Sequence, residues 1–304
     1  MSCSKLGSVF VALLAVVMAG GQGAAASAAP VPASVPAQSA TRSIAVGLAS
    51  LTPTAPVTRL SDFNRDRFTD LVAADKQGDL WLYPGNGAGG FKPRHQMGHG
   101  WVAMSGIASP GDVTGDGNAD VVASDRSGRL WLYAGSGASS LRQRVQIGNG
   151  WSRLFFTAAA NLNGAGRPDL LAIDAAGRLW LYPLQGYAHF GQPSQIGSGW
   201  RRHFVMGPGD VSGDGRADVL GLGQTGGLRL YRGDGAGHIG RGTAVSGGLG
   251  GLVAPGNWDR KAGNDLIGTD GVLGRLWLFR GNNAGAFATP VQIGHGWNNF
   301  FFIG

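Results

Sequence analysis

From residue 57 to the C-terminus, apolar residues occur in runs of four or five, too short for helices and bounded by Gly, Asp, Asn and Pro. Two kinds of run alternate. One is almost wholly apolar, as in Asp70-Leu-Val-Ala-Ala, Asp120-Val-Val-Ala-Ser, Asp169-Leu-Leu-Ala-Ile, Asp218-Val-Leu-Gly-Leu and Asp265-Leu-Ile-Gly. The other alternates with a period of two: Leu-Trp-Leu-Tyr around Trp81, Trp131 and Trp180, Leu-Arg-Leu-Tyr around Arg229 and Leu-Trp-Leu-Phe around Trp277. Asp-x-x-Gly turns at Asp75, Asp125 and Asp174 join the first kind to the second, which predicts hairpins. Before each pair lies a stretch of small and apolar residues (104–110, 155–160, 204–209), suited to an innermost strand beside a crowded axis. After it, a Gly-rich turn leads into a Gln-containing strand that ends at Gly-x-Gly-Trp, with Trp101, Trp151, Trp200 and Trp297. The unit therefore holds four short strands.

An oxygen-rich loop opens each unit at Asp62, Asp112, Asn161, Asp210 and Asn257, giving successive steps of 50, 49, 49 and 47 residues. A period in this range carried by β-type sequence predicts an all-β propeller of about five four-stranded blades. The last residues, Phe300 to Gly304, match the segment that precedes a loop elsewhere, and the chain stops where a sixth loop would begin. Ring closure is the expectation, with the C-terminal strand completing the first blade and removing two sheet edges; the alternatives are an incomplete larger ring or a head-to-tail assembly.

Upstream of residue 57 the pattern changes. Residues 1–28 read as a signal peptide, with Lys5, an apolar run and the small residues Ala26-Ser27-Ala28. Residues 29–56, rich in Ala, Pro and Ser, read as a flexible leader, and residues 57–304 as the propeller. The chain is expected to be secreted, without a membrane span, as a monomer. Its one cysteine, Cys3, lies in the signal segment, so no disulfide is expected in the exported protein.

All 18 acidic residues are Asp, and Gly numbers 55, a composition that favours turns and strands. The formal charge of +7 comes from Arg spread through the repeats, which suits an acidic glycan or wall polymer better than nucleic acid. Catalysis finds little support: no Glu is present, no Gly-x-Ser-x-Gly or His-Glu-x-x-His motif occurs, and most Asp residues fall in loops and turns. Tyr187, His189, His203 and Trp258 break the repeat and leave a propeller enzyme as the least favoured reading.

The loops carry candidate cation chemistry. Asp112, Thr114, Asp116 and Asp120, and likewise Asp210, Ser212, Asp214 and Asp218, place oxygens at positions 1, 3, 5 and 9, with Gly117 and Gly215 at the sharp turn. A hard cation such as calcium takes six to eight oxygens, and three Asp per loop supply a large share. Asp62, Asn64, Asp66 and Asp70 keep the oxygens but place Arg67 at the turn. Two loops are degraded, with Ala165 and Lys261 at the central position, and the Lys261 ammonium could stand in for the ion. A structural calcium is expected in the first three loops.

The stretches GDVTGDGNADVV and GDVSGDGRADVL resemble the FG-GAP or VCBS-type repeats known from integrin α-subunit propellers and from secreted bacterial proteins. The resemblance covers residues 57–304 and implies propeller blades with calcium in the loops. The short period and the Leu-Trp-Leu-Tyr and Gly-x-Gly-Trp elements look more like compact bacterial and tachylectin-type lectin propellers.

The two Trp sets invite different roles. Trp81, Trp131, Trp180 and Trp277 alternate with Leu and are expected to fill the space between blades. Trp101, Trp151, Trp200 and Trp297, after two glycines at a strand start, are expected to lie nearer the surface. There, with Gln96, Gln146, Gln195 and Gln292, they could form a stacking face and an amide for a sugar. The leading expectation is a secreted, non-catalytic, lectin-like binding module, and the alternative is a protein-interaction or adhesion scaffold.

Overall fold

The computed structural model describes residues 61–245, 252–270 and 273–304. The expected signal peptide, leader and propeller start lie outside them. The described residues form an all-β propeller with three four-stranded sheets and one eight-stranded sheet, in which two four-stranded units join through a parallel pairing of Ala159 with Gly207; each four-stranded unit is called a blade below. Blade 2 is the simplest, with Met104–Gly111, Asp120–Asp125, Leu130–Tyr133 and Val145–Gly148 in antiparallel order. Blade 3 uses Phe155–Ala159, Asp169–Ile173, Leu179–Tyr182 and Ser194–Gly197, with an added hairpin, Leu184–Gly186 and His189–Phe190. Blade 4 uses Phe204–Gly209, Asp218–Leu222, Leu228–Tyr231 and Thr243–Val245, and blade 5 Leu252–Gly256, Asp265–Thr269, Leu276–Phe279 and Val291–Gly294.

Blade 1 has strands Leu71–Asp75, Leu80–Tyr83 and His95–Gly98, and takes its innermost strand, Phe300–Ile303, from the other end of the chain. Ala73 pairs with Ile303 and Ala74 with Phe302, and Val72 and Gly304 exchange two backbone hydrogen bonds of 2.8 Å. The C-terminal strand thus closes the ring as its sequence suggested.

The period of two in the third strand sorts side chains between two neighbours. Leu80 and Leu82 pack with Met104, Ile107 and Val121 of the following blade, whereas Tyr83 packs with Ile267, Leu278 and Trp297 on the other side. Each of the five apolar clusters is shared between adjacent blades, including blades 5 and 1. Stability therefore rests on blade-to-blade burial around a closed ring, without a disulfide.

The outer strand carries one irregularity that matters for the surface. Leu130 pairs with Gly148 but Trp131 pairs with Gln146, so Ile147 is an extra residue in the outer strand. The same shift occurs in blades 1, 3 and 5. Such a bulge re-aims the side chains around it. Ile147 packs against the shared core, while Gln146 is left exposed directly opposite Trp131.

Candidate functional site

The loop between the first and second strands is held by its last aspartate. In blade 2 Asp120 is fully buried: one carboxylate oxygen accepts hydrogen bonds from the Val113 and Thr114 amides, at 2.9 and 3.0 Å, and the other from the Gly135 amide at 2.8 Å. Asp70, Asp169, Asp218 and Asp265 repeat the arrangement, each tying the second loop residue to the amide that follows the third strand. A Cβ on Gly135 would lie 2.0 Å from the Ala119 carbonyl oxygen, so glycine permits this close approach. Blade 3 has Leu184 there, and its amide sits farther from the carboxylate, at 3.3 Å. Burial raises the Asp70 pKa to about 7 and those of Asp120 and Asp169 to about 6, against the pull of the amides. This buttress is present in all five units, including those whose cation pattern is degraded.

The remaining loop oxygens largely serve the loop itself. Asp112 caps the amides of Gly115 and Gly117, and Asp116 that of Asn118. Thr114 Oγ1 donates to Asp112, and Arg142 stands 3.7 Å from Asp116. Asp62 caps the amides of Asn64, Asp66 and Arg67, and Asn64 accepts from the Asp66 amide. Lys92 binds Asp66 at 2.7 Å, and although burial works against it, that ion pair and nearby donors lower the Asp66 pKa. Arg67 occupies the left-handed turn position with φ 66° and reaches into solvent. Asp210 caps the Gly213 and Gly215 amides, and Asp214 that of Arg216. In the Asn257 loop the expected stand-in, Lys261, is exposed and 3.9 Å from Asp259, and the guanidinium of Arg280 pairs closely with that carboxylate instead. Lys261 is thus corrected to a peripheral charge, because Arg280 reaches Asp259 from the adjoining strand.

Both Trp sets pack between blades, the Gly-x-Gly-Trp set more deeply. Trp101, Trp151, Trp200 and Trp297 are only 2–6% exposed. Their amides bond to the carbonyls of Gly78, Gly128, Gly177 and Gly274, and their rings lie 4.6–4.7 Å from Tyr133, Tyr182, Tyr231 and Tyr83. The expectation that these four offer a sugar-stacking face is therefore corrected. The glycine before Trp101 and Trp297 is left-handed (φ about 80°), and the 3₁₀ turn that follows carries the ring inward between blades. Trp81, Trp131, Trp180 and Trp277 are half-buried, and Trp131, Trp180 and Trp277 pack against the clusters between blades as expected. They stand in register with Gln96, Gln146, Gln195 and Gln292, which are all exposed.

Trp81, Trp131 and Trp180 each donate to the aspartate of the preceding turn, whereas the buried Trp277 N–H has no hydrogen-bond partner among the described residues. The Trp131 indole N–H donates to Asp125 at 3.0 Å, and Arg129 Nε donates to the same oxygen at 2.7 Å. Burial alone raises the Asp125 pKa, but the indole, the Arg129 amide and its guanidinium outweigh it and bring it down to about 2. Asp174, Arg178 and Trp180 repeat the cluster, and Asp75 holds Trp81. In blades 1 and 2 Arg94 and Arg144 lie over the rings of Trp81 and Trp131, at 3.9 and 4.2 Å, anchored on Tyr83 and Tyr133. Blades 3 and 5 have Pro193 and Pro290 at that position, and no outer-strand Arg covers Trp180 or Trp277.

A family model described as FG-GAP-like repeat matches residues 62–123 and 161–221, two stretches that each begin at a loop, run through one repeat and the next loop, and end in the strand after it. The chain carries FG-GAP-like repeats. No curated protein matches its sequence. Among solved structures it is similar to an Agrocybe aegerita lectin described as recognising non-reducing terminal N-acetylglucosamine, at 18% identity and TM-score 0.45 over 78% of this chain and 65% of that one, just under two thirds. It is similar also to the BP39L lectin from Burkholderia pseudomallei (17% identity, TM-score 0.46, 77% of this chain and 68% of that one). A third is the Aleuria aurantia lectin solved with α-methyl-L-fucoside (12% identity, TM-score 0.39, 74% and 77%). Likenesses this distant report neither a ligand nor a site.

The FG-GAP-like loops differ in their fitness for calcium. Among the described residues no three acidic or imidazole side chains converge as they stand to hold an ion, because the carboxylates turn toward their own amides. The Asp210 loop has the best donor set. Asp210 and Asp214 make no ion pair among the described residues, and the buried Ser212 Oγ, beside Asp218, has no hydrogen bond of good geometry. The Asp62 and Asp112 loops already have Lys92 and Arg142 beside their central acid. Among the described residues no helix is long and apolar enough to cross a membrane.

Proposed function

We propose that the propeller is a non-catalytic carbohydrate-binding module acting outside the cell, with shallow sites in the clefts between blades. The observation that carries this reading is the pairing of a half-buried Trp with an exposed Gln across the third and outer strands, free of an outer-strand Arg in blades 3 and 5, where Arg178 and Arg275 stand 5.2 and 5.5 Å from the ring centroids. An indole face accepts the C–H face of a pyranose, and the amide of Gln195 or Gln292 can both donate to and accept from ring hydroxyls. Such open sites bind weakly one at a time, and repetition around the ring compensates on a multivalent surface such as a wall polymer. A +7 chain favours glycans that carry negative charge.

Calcium in this reading is a structural ligand. Asp210, Ser212, Asp214 and Asp218 would hold it best, followed by the sets at Asp112 and Asp62. Bound there, the ion neutralises clustered carboxylates and pins the loop.

A glycan array probed with the intact protein and with Trp180→Ala plus Trp277→Ala tests the proposal. Loss of binding in the double variant, with the melting temperature kept within about 3 °C, supports it. Full binding by the double variant, or none by the intact folded protein, contradicts it. Addition of calcium after chelation should raise the melting temperature, and Asp214→Asn should reduce that gain.

A further inference from the structure

Blade 4 breaks the polar cluster that the other blades build at this end of the propeller. Gly223 stands where Asp75, Asp125 and Asp174 stand, Gly227 where blades 2 and 3 have Arg129 and Arg178, Arg229 where the others have Trp, and Ala244 where they have Gln. His203 occupies the place of Met104, Leu154 and Phe300. The turn backbone is nevertheless unchanged: the Gly223 amide bonds to the Gly227 carbonyl at 3.0 Å, as the Asp125 amide does to the Arg129 carbonyl. The missing side chains leave a cavity of about 450 Å³ lined by His203, Thr225, Gly227 and Arg229, with no carboxylate in its wall. That volume lies within the range of small-molecule pockets.

What the cavity lacks is informative. In blades 1, 2 and 3 one aspartate oxygen accepts from two turn amides: Gln77 and Asp79, Ser127 and Arg129, Ala176 and Arg178. The corresponding amides in blade 4 belong to Thr225 and Gly227, and neither has an acceptor among the described residues. Arg229 is exposed, and its one hydrogen-bond partner among the described residues is the Gly242 carbonyl, at 3.3 Å. A turn preformed around an anion, a guanidinium and an imidazole thus share a cavity from which the internal anion has been removed.

We infer that this cavity binds a carboxylate-bearing saccharide unit, a hexuronate, whose carboxylate takes the place that aspartate holds in the sister blades. The two turn amides and Arg229 receive the carboxylate. His203 and Thr225 are left to meet ring hydroxyls. The inference deepens the saccharide reading above and rests on it, but its polar groups are distinct from Trp180 and Trp277, although Trp277 packs on the apolar cluster that includes Leu228 and Val245 of the cavity wall.

The test is an amide and side-chain NMR titration of the full chain with glucuronate, glucose and acetate. Glucuronate should shift the Thr225, Gly226 and Gly227 amides and the Arg229 Nε–H saturably, with glucose and acetate weaker there by at least about tenfold. Gly223→Asp returns the internal carboxylate. Its Cβ would meet nothing nearer than 3.6 Å and the residue is not left-handed, so the variant is expected to fold. It should abolish the glucuronate shifts at these amides, as should Arg229→Gln. An unchanged response in Gly223→Asp, or equal responses to glucuronate and glucose, overturns the site. Acetate binding as tightly as glucuronate overturns the saccharide class. If neutral sugars shift Trp180 and Trp277 while glucuronate leaves residues 225–227 unmoved, this inference alone falls. If no saccharide shifts any resonance, the functional reading falls with it.

Discussion

Replacing Asp120 by Ala in a metal-free protein separates its buttress role from any role as an ion ligand. The change leaves three amides of the loop and turn without an acceptor, those of Val113, Thr114 and Gly135. A buried donor left unpaired costs about 2 kcal/mol, so the three together cost roughly 6 kcal/mol. Against this stands relief from holding a buried carboxylate ionised, which, for a pKa raised from 3.8 to about 6, is worth roughly 3 kcal/mol at neutral pH. The net loss is about 3 kcal/mol, or a fall in melting temperature of about 9 °C for a domain of this size. Urea unfolding in excess chelator, compared with Asp116→Ala in the same loop, is the assay. Asp116 is partly exposed and supports one amide, so its variant should lose under about 1 kcal/mol. Equal losses for the two variants, or a loss under about 1 kcal/mol for Asp120→Ala in chelator, would refute the reasoning.

The pH profile follows from two opposed sets of aspartates. Burial raises the pKa of Asp70 to about 7, those of Asp120 and Asp169 to about 6, and those of Asp218 and Asp265 above the usual carboxylate value, so their contribution is present below pH 3.8 and lost as pH rises through those raised values. Asp75, Asp125, Asp174 and Asp270 are depressed, Asp125 to about 2, so theirs is present above pH 3.8 and lost as pH falls through the depressed values. Metal-free protein should therefore melt highest near about pH 4 to 5, and a profile rising steadily to pH 7 would contradict the assignment. Deleting residues 300–304 uncovers Leu71–Asp75 and removes Phe300 from the cluster shared by blades 5 and 1. The truncated chain should melt more than about 5 °C lower and associate on a sizing column, whereas an unchanged monomer would show that closure is dispensable.

The propeller and its closure were legible because period-two strands, Asp-rich loops and the unpaired final strand recur in register, and burial then leaves few architectures open. The roles of the Trp residues were not. How deeply Trp101 and Trp131 are buried depends on a left-handed glycine, a 3₁₀ turn and the bulge at Ile147, none of which the spacing of apolar residues reveals. The buttress was hidden for another reason: Asp120 looks like a ninth-position ligand until the Gly135 amide, fifteen residues on, is seen to donate to it. Similarly, Lys261 lies in the loop by sequence, but Arg280, 21 residues from Asp259, is the cation that reaches that carboxylate. The emptied cluster of blade 4 could have been found by aligning the repeats, since Gly223, Gly227, Arg229 and Ala244 all depart together.

The most direct measurement of the central claim is the indole N–H spectrum of the protein titrated with a saccharide that it binds on an array. Nine Trp residues give resolvable probes, and two of them, Trp180 and Trp277, stand opposite a Gln without an outer-strand Arg over the ring. The account predicts that Trp180 and Trp277 shift while Trp101, Trp151, Trp200 and Trp297 stay fixed. Shifts confined to the buried four would contradict it.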